Sequence, residues 1–203
     1  MYLNKPLKEY LDDLAAKLPA PGGGSASALV ASIGASLMAM VANYTVSNPK
    51  YKEIHAKAAG ILDEADKARA ALQGLIDKDV QAYERLSKGI KEVAAKDSQK
   101  LDSLYKEAAN VPFEIARLSD DCLKLCNALA DCGNSNLVTD TAIAAILLEG
   151  SFFSAKYNVY INLKYIKDMD YIANIHKILA PLEEMMPKLK EEIIEKCEDV
   201  IGR

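Results

Sequence analysis

No stretch of this 203-residue sequence keeps up the apolar–polar alternation of a half-buried strand, which argues against a sheet protein. Glycine and proline are scarce, with 10 and 7 residues. Half the residues are hydrophobic and 27% are charged, which excludes a collagen-like, low-complexity or disordered chain. A charge excess is also missing: 25 basic against 29 acidic side chains leave −4, without the electropositive footprint of a nucleic-acid binder. No nucleic-acid partner is expected. Histidine occurs only as His55 and His176, each in an amphipathic stretch without a ligand set, so both are expected at surface or boundary positions. Four irregularly spaced cysteines, and no basic-then-apolar leader at Met1, fit a reducing, cytoplasmic setting better than a secreted disulfide framework. Cys122 and Cys126 stand one helical turn apart near Cys132, but nothing completes a thiolate site. Buried free thiols are expected, and no metal.

What the sequence does have is apolar residues at three- and four-residue spacing almost throughout, which predicts one all-α domain over 1–203. No unit repeats at a solenoid period. Pro6 suits a first helical position, and Leu7, Leu11, Leu14 and Leu18 mark the stripe of a short helix that ends near Pro19 and lies across others as a strap. Ser25 to Val46 carries no charge on any face and must be buried nearly all round. It is long enough for a membrane span, but Ser25, Ser27, Ser32, Ser36, Asn43 and Tyr44 interrupt it and no other segment looks comparable. A core helix is therefore expected, packed against several neighbours or a second subunit, with no membrane partner. Helical patterns then cover about Tyr51–Val93 and Gln99–Leu129, the latter kinked or divided at Val111-Pro112. Leu137–Leu163 returns to small, apolar character, and Tyr171–Ile201 is expected to break at Pro181 and Pro187. The result is a bundle of six or seven helices with two central small-residue helices.

Three glycines in Pro21-Gly22-Gly23-Gly24-Ser25 lose more chain entropy than a plain connector requires, so something is expected to approach that backbone. The N–H groups of Gly22, Gly23, Gly24 and Ser25 could cradle a carboxylate, a phosphate or a developing oxyanion; the simpler reading is a flexible joint capped by Ser25. The lysine of a nucleotide P-loop is absent. Asp79 and Tyr83 share a helix face, either as an acid–base pair or as a surface carboxylate beside a half-buried phenol. Asn158 and Asn162 repeat that spacing within an apolar stretch, facing a ligand or hydrogen bonding between helices. Asp140, beside Thr139 at the opening of a buried helix, suits a helix N-terminus through its charge. Asp140 and Asn158 face the same way but stand about 27 Å apart, and Ser25 and Asn43 have the same separation. If the two small-residue helices run antiparallel, the glycine turn meets Asn158 and Asn162 while Asn43 meets Asp140 at the other end. A long ligand or two subunits would join the two ends. A Ser–His–acid triad has no local support.

Pro19-Ala20-Pro21-Gly22-Gly23-Gly24-Ser25-Ala26, the helix ending in Met40-Val41-Ala42-Asn43, and Asn48-Pro49-Lys50-Tyr51 together resemble the cyclodeaminase/cyclohydrolase family. Asp79 with Tyr83, Ala109-Asn110-Val111-Pro112, Gly133-Asn134 with Thr139-Asp140, and Asn158-Val159-Tyr160-Ile161-Asn162 follow in the same order, so the likeness spans nearly the whole chain. The sequence departs from the pattern at Thr139, where the family tends to carry Ser, and at Glu149, where a small residue is usual. Lys96, Lys100 and Lys106 are the bases ahead of the Val-Pro helix, in place of an Arg. The resemblance implies an all-helical, commonly homodimeric enzyme that acts on the one-carbon bridge of tetrahydrofolate, with a folate as substrate and neither metal nor redox cofactor. It makes Asp79 the general base or acid with Tyr83 orienting it or donating a proton, and Asp140 a second candidate. Asn43, Asn158 and Asn162 would hold the pterin edges or the bridge, and the Gly22–Ser25 turn would receive an anionic group or shape the pocket. A chain of this length has no room for an additional formiminotransferase module. Hydrolysis of 5,10-methenyltetrahydrofolate to 10-formyltetrahydrofolate is therefore expected. The alternatives are cyclodeaminase release of ammonia from 5-formiminotetrahydrofolate, a non-catalytic folate-binding scaffold and, last, a peripheral membrane protein.

Overall fold

A computed structural model describes residues 1–93 and 97–202. Six α-helices, and no strand among the described residues, follow in order: α1 (Leu7–Ala15), α2 (Gly23–Val46), α3 (His55–Val93), α4 (Ser98–Ala130), α5 (Val138–Leu163) and α6 (Met169–Ile201). The starts are set by short polar side chains. Asp97 accepts from the Lys100 N–H at 2.9 Å to begin α4, and Asp168 accepts from the Tyr171 N–H at 3.0 Å to begin α6. Gly202, with φ of 81°, ends α6 in the left-handed conformation.

The all-helical expectation is met, and α2 and α5 are its two small-residue helices. They run antiparallel. Gly23 lies beside Asn158, Gly34 beside Ala144 and Leu148, and Val41 beside Gly133. A Cβ at Gly34 would come 3.0 Å from Leu148 Cγ, so the close crossing depends on the missing side chain. Serines inside the bundle are all partnered. Ser27, Ser32, Ser36 and Thr45 return their hydroxyl protons to the carbonyls four residues back. Ser119 of α4 donates to Ser151 of α5, and Ser151 donates to the Ser27 carbonyl of α2 at 2.8 Å, which ties three helices together. At the far end the Asn134 N–H reaches Thr45 Oγ1 at 2.9 Å, and the Ser135 N–H reaches the Tyr51 hydroxyl at 3.1 Å.

Three expectations about the chain's course are corrected. α1 starts after Pro6 and buries Tyr10, whereas Leu7, Leu11 and Leu18 are 61%, 50% and 50% exposed. Of the leucine stripe only Leu14 packs against the core, and Tyr10 is the buried anchor of the strap. α4 passes Pro112 undivided. The ring removes the donor for the Ala108 carbonyl, and Asn162 of α5 replaces it, its side-chain N–H lying 3.3 Å from Ala108 O. α6 likewise continues through Pro181 and Pro187, with Ile175, Leu179, Met186, Ile193 and Cys197 buried along one face. At about 1.5–3 kcal/mol for each large side chain, that face outweighs about 3 kcal/mol per proline.

A second segment also matches α2 in membrane-spanning length and composition: both Gly23–Val46 and Ser135–Leu163 pass, correcting the expectation that α2 stood alone. The most apolar window of α2 is 61% buried in the protein and that of the second segment 33%. The remainder is an apolar face described below.

Candidate active site

Four helices enclose a cavity of about 330 Å³. α3 contributes Asp79, Ala82, Tyr83 and Leu86, and α4 contributes Tyr105, Ala108 and Pro112. α5 and the turn after it contribute Asn158, Ile161, Asn162 and Tyr165. Each set steps by three or four residues and is one face of its helix. Gly22, Gly23 and Gly24 at the start of α2 close one end. The glycine turn, Asp79, Tyr83, Asn158 and Asn162 thus converge, as the antiparallel arrangement predicts.

The Asp79 carboxylate rests on Gly24, where a Cβ would come 2.1 Å from Oδ1 and 2.6 Å from Cγ. It accepts the Ser25 backbone N–H. The positive end of α2 is therefore answered by the chain's own carboxylate, in the place where the sequence suggested a substrate anion. Gly23 is also crowded, a Cβ there lying 3.3 Å from Asn158 Nδ2, whereas nothing lies within 4 Å at Gly22. Gly22, not Ser25, occupies the N-cap. The Ser25 side chain is fully buried and its Oγ is 3.2 Å from the Tyr10 hydroxyl, so the strap braces the residue whose N–H holds Asp79. Burial pushes the Asp79 carboxyl up to about 6 from an ordinary 3.8, against the pull of the Ser25 N–H. Such a group takes and returns a proton near neutral pH.

Both asparagines line the cavity, and Asn162 alone makes an interhelical hydrogen bond. Asn158 Nδ2 donates to the Ser154 carbonyl at 2.9 Å, and Asn162 Nδ2 donates to the Asn158 and Ala108 carbonyls at 2.8 and 3.3 Å. With both amide protons of Asn162 engaged by carbonyls, the group it retains for a ligand is the Oδ1 acceptor. The lining includes no Lys, Arg or His.

The other expected site residues lie elsewhere. Asn43 is exposed in a separate open recess with Tyr44, Asp66 and Arg69, and Asp140 sits in the first turn of α5, at the opposite end from Asn158. Neither lines the cavity of its own chain, and at that end Thr45 and Asn134, not Asn43 and Asp140, make the interhelical hydrogen bond. Of the three candidate bases, Lys106 is neutralised between Asp102 and Asp168 at 2.9 and 2.8 Å, Lys100 is exposed and outside the lining, and Lys96 lies outside the described residues. All four cysteines are free. Burial pushes the Cys122 thiol up to about 12 and raises Cys126 as well, so neither is a nucleophile at neutral pH. His55 is half-buried with Nε2 3.0 Å from the Asn48 carbonyl oxygen, and His176 is exposed. Among the described residues no group of three His, Cys, Asp or Glu is placed to hold a metal ion.

The family model for formiminotransferase-cyclodeaminase matches residues 6–180. The chain belongs to that family. A methenyltetrahydrofolate cyclohydrolase of Methylorubrum extorquens is 32% identical over 205 residues, spanning 98% of this chain and 99% of that protein. The formimidoyltransferase-cyclodeaminase of Rattus norvegicus is 30% identical over 189 residues, 90% of this chain but 35% of the rat protein. The crystal structure of formiminotetrahydrofolate cyclodeaminase from Thermotoga maritima superposes with a TM-score of 0.92 at 31% identity, covering 99% of this chain and all of that one. These relatives are named as enzymes, and an enzyme is what the sequence implied.

Sequence reasoning missed Tyr105, Tyr165, Pro112 and Tyr10. The first three were signalled by continuing the spacing already in hand, from Asn158 through Asn162 to Tyr165, and from Tyr105 through Ala108 to Pro112.

Proposed function

We propose that this protein hydrolyses 5,10-methenyltetrahydrofolate to 10-formyltetrahydrofolate. One observation carries the reading: a single carboxylate with a raised proton affinity stands in a cavity whose lining holds no cation and whose Asn162 offers an acceptor. The N5–C–N10 bridge of the substrate is a delocalised cation, and such a lining favours it. Water adds to the bridge carbon as the Asp79 carboxylate takes one of its protons, giving a neutral carbinolamine. The C–N5 bond then breaks, the hydroxyl becomes the formyl carbonyl on N10, and its proton passes to N5. One proton is released overall. Tyr83 stands one turn from Asp79 and donates or relays at N5. The residues supply acid–base chemistry and positioning without a metal or redox cofactor, the folate being substrate.

The cyclodeaminase reading uses the same carboxylate to protonate departing ammonia, and the likeness to the Thermotoga maritima enzyme supports it. Rates with methenyl- and formiminotetrahydrofolate, measured side by side by absorbance, are expected to favour the methenyl compound. A higher kcat/KM for the formimino compound reverses the assignment, and ligand-dependent thermal stabilisation without product from either identifies a binder.

The active unit in this proposal is a homodimer. Ile33 and Tyr44 of α2 and Ile143, Ile146, Tyr157 and Ile161 of α5 are 46–69% exposed and lie at helical spacing on two adjacent helices. Antiparallel pairing of this face with a second copy carries the Asn43 and Asp140 end of one protomer over the cavity end of the other, which gives those residues a place in the reaction. Ile146→Lys is expected to yield a folded monomer by analytical ultracentrifugation. Mixed Asp79→Asn and Asn43→Ala protomers are expected to regain about a quarter of wild-type activity through hybrids with one intact site. A wild-type chain that is monomeric and floats with liposomes would assign the face to a membrane instead.

A further inference from the structure

The cavity has no basic residue, yet a folate carries carboxylates on the arm that leaves its pterin, so the anionic arm must be met outside the lining described for the reaction. Just past the end of α5, Tyr165 stacks on Tyr105 of α4, with ring centroids 4.9 Å apart and an interplanar angle of 18°. Both tyrosines line the cavity, and Tyr165 is 50% exposed, so the stacked pair lies where the cavity opens to solvent. Lys164 Nζ lies 5.8 Å from the centroid of the Tyr165 ring. Lys164 is exposed and makes no ion pair among the described residues, in contrast to Arg85, paired with Glu107, and Lys106, paired twice.

We infer that Tyr105, Tyr165 and Lys164 form an outer subsite for the arm of the substrate: the paired rings take its aromatic ring, and Lys164 takes a carboxylate beyond it. This rests on the folate reading of the cavity. Two tyrosines already stacked lose little freedom when a third ring joins them, and a lysine lying over the outer ring is positioned to meet an anion attached to that third ring. The order outward from Asp79 is then carboxylate, amide acceptors, aromatic pair, ammonium, which matches a substrate that is cationic at the reacting bridge, apolar in its middle and anionic at its tail. The same order excludes a free pterin as the preferred substrate.

Steady-state kinetics of wild type, Tyr165→Ala, Tyr165→Phe and Lys164→Gln with 5,10-methenyltetrahydrofolate test this, with calorimetric binding of p-aminobenzoylglutamate as a second readout. Tyr165→Ala is expected to raise KM about tenfold while kcat stays within about twofold, and Tyr165→Phe to restore KM. Lys164→Gln is expected to raise KM about threefold and to remove most of its dependence on salt. The p-aminobenzoylglutamate fragment is expected to bind wild type more tightly than either Tyr165→Ala or Lys164→Gln. Unchanged KM and unchanged fragment binding in those variants overturn the subsite while leaving the hydrolase reading intact. If wild type turns over neither folate, that reading fails, and fragment binding alone then decides the subsite.

Discussion

Asp79→Asn is expected to lower turnover of 5,10-methenyltetrahydrofolate by about 10³-fold, within the usual range for loss of a positioned general base, while making the protein harder to unfold at pH 8. Both effects have one cause. Burial holds the Asp79 carboxyl near 6, so at pH 8 the folded chain carries a charge whose desolvation outweighs the Ser25 N–H that it accepts. The unfolded chain releases this proton at the ordinary 3.8 and the folded chain only near 6. Between those values the unfolded state binds fewer protons, and stability falls as pH rises. Above about 6 the penalty is constant, and below the ordinary value it is absent. A two-unit shift corresponds to about 3 kcal/mol; discounted for partial solvation, a gain of about 1–2 kcal/mol is expected for Asp79→Asn at pH 8, vanishing near pH 3.5. Urea unfolding of both chains at the two pH values measures it. The pH profile of wild-type kcat/KM should rise through about 6 and then level. A variant that turns over normally removes Asp79 from the mechanism.

Gly24→Ala is the second large effect. Its Cβ would meet Asp79 Oδ1 at 2.1 Å and Oδ2 at 2.8 Å, so the carboxylate must swing away from the Ser25 N–H and from its place beside the substrate bridge. A displacement of about an ångström in a reacting group costs about 10²-fold in rate, and overpacking a close contact costs about 1–3 kcal/mol. In an Asp79→Ala background the clash disappears and the sign changes. Alanine then stabilises the first turn of α2 by up to about 1 kcal/mol relative to glycine. A double-mutant cycle on the unfolding free energies reads the coupling directly; additive effects would mean that Gly24 serves the backbone and not the carboxylate.

The helices were legible because burial of a continuous face leaves a repeating mark. α2 was marked by the lack of charge and α5 by its small, apolar character, and Asp79 with Tyr83 and Asn158 with Asn162 by spacing on a single helix. What a local pattern does not encode is which groups on different helices answer one another. Pro112 reads as a break because its partner, Asn162, is 50 residues later in the chain. The glycine turn reads as a place for a substrate anion, but the carboxylate that rests on Gly24 and accepts the Ser25 N–H comes from α3. Three of the four leucines of the strap read as its buried face yet are exposed, because amphipathicity gives no warning that Tyr10, bonded to Ser25, joins Leu14 in holding α1. Gly133-Asn134 and Asn48-Pro49-Lys50-Tyr51, counted among the family motifs, join the far ends of α2 and α4 rather than lining the cavity.

The Ala108 carbonyl, which Pro112 leaves without a backbone donor and which accepts from Asn162 instead, sets how Asn162 can present itself. Any residue at 112 that restored an N–H would return this oxygen to the α4 ladder, leaving the amide held by Asn158 alone and able to swivel. An imino acid on one helix thereby fixes the polarity of an amide on another, and through it whether the cavity meets a bound heterocycle with an oxygen or with a proton.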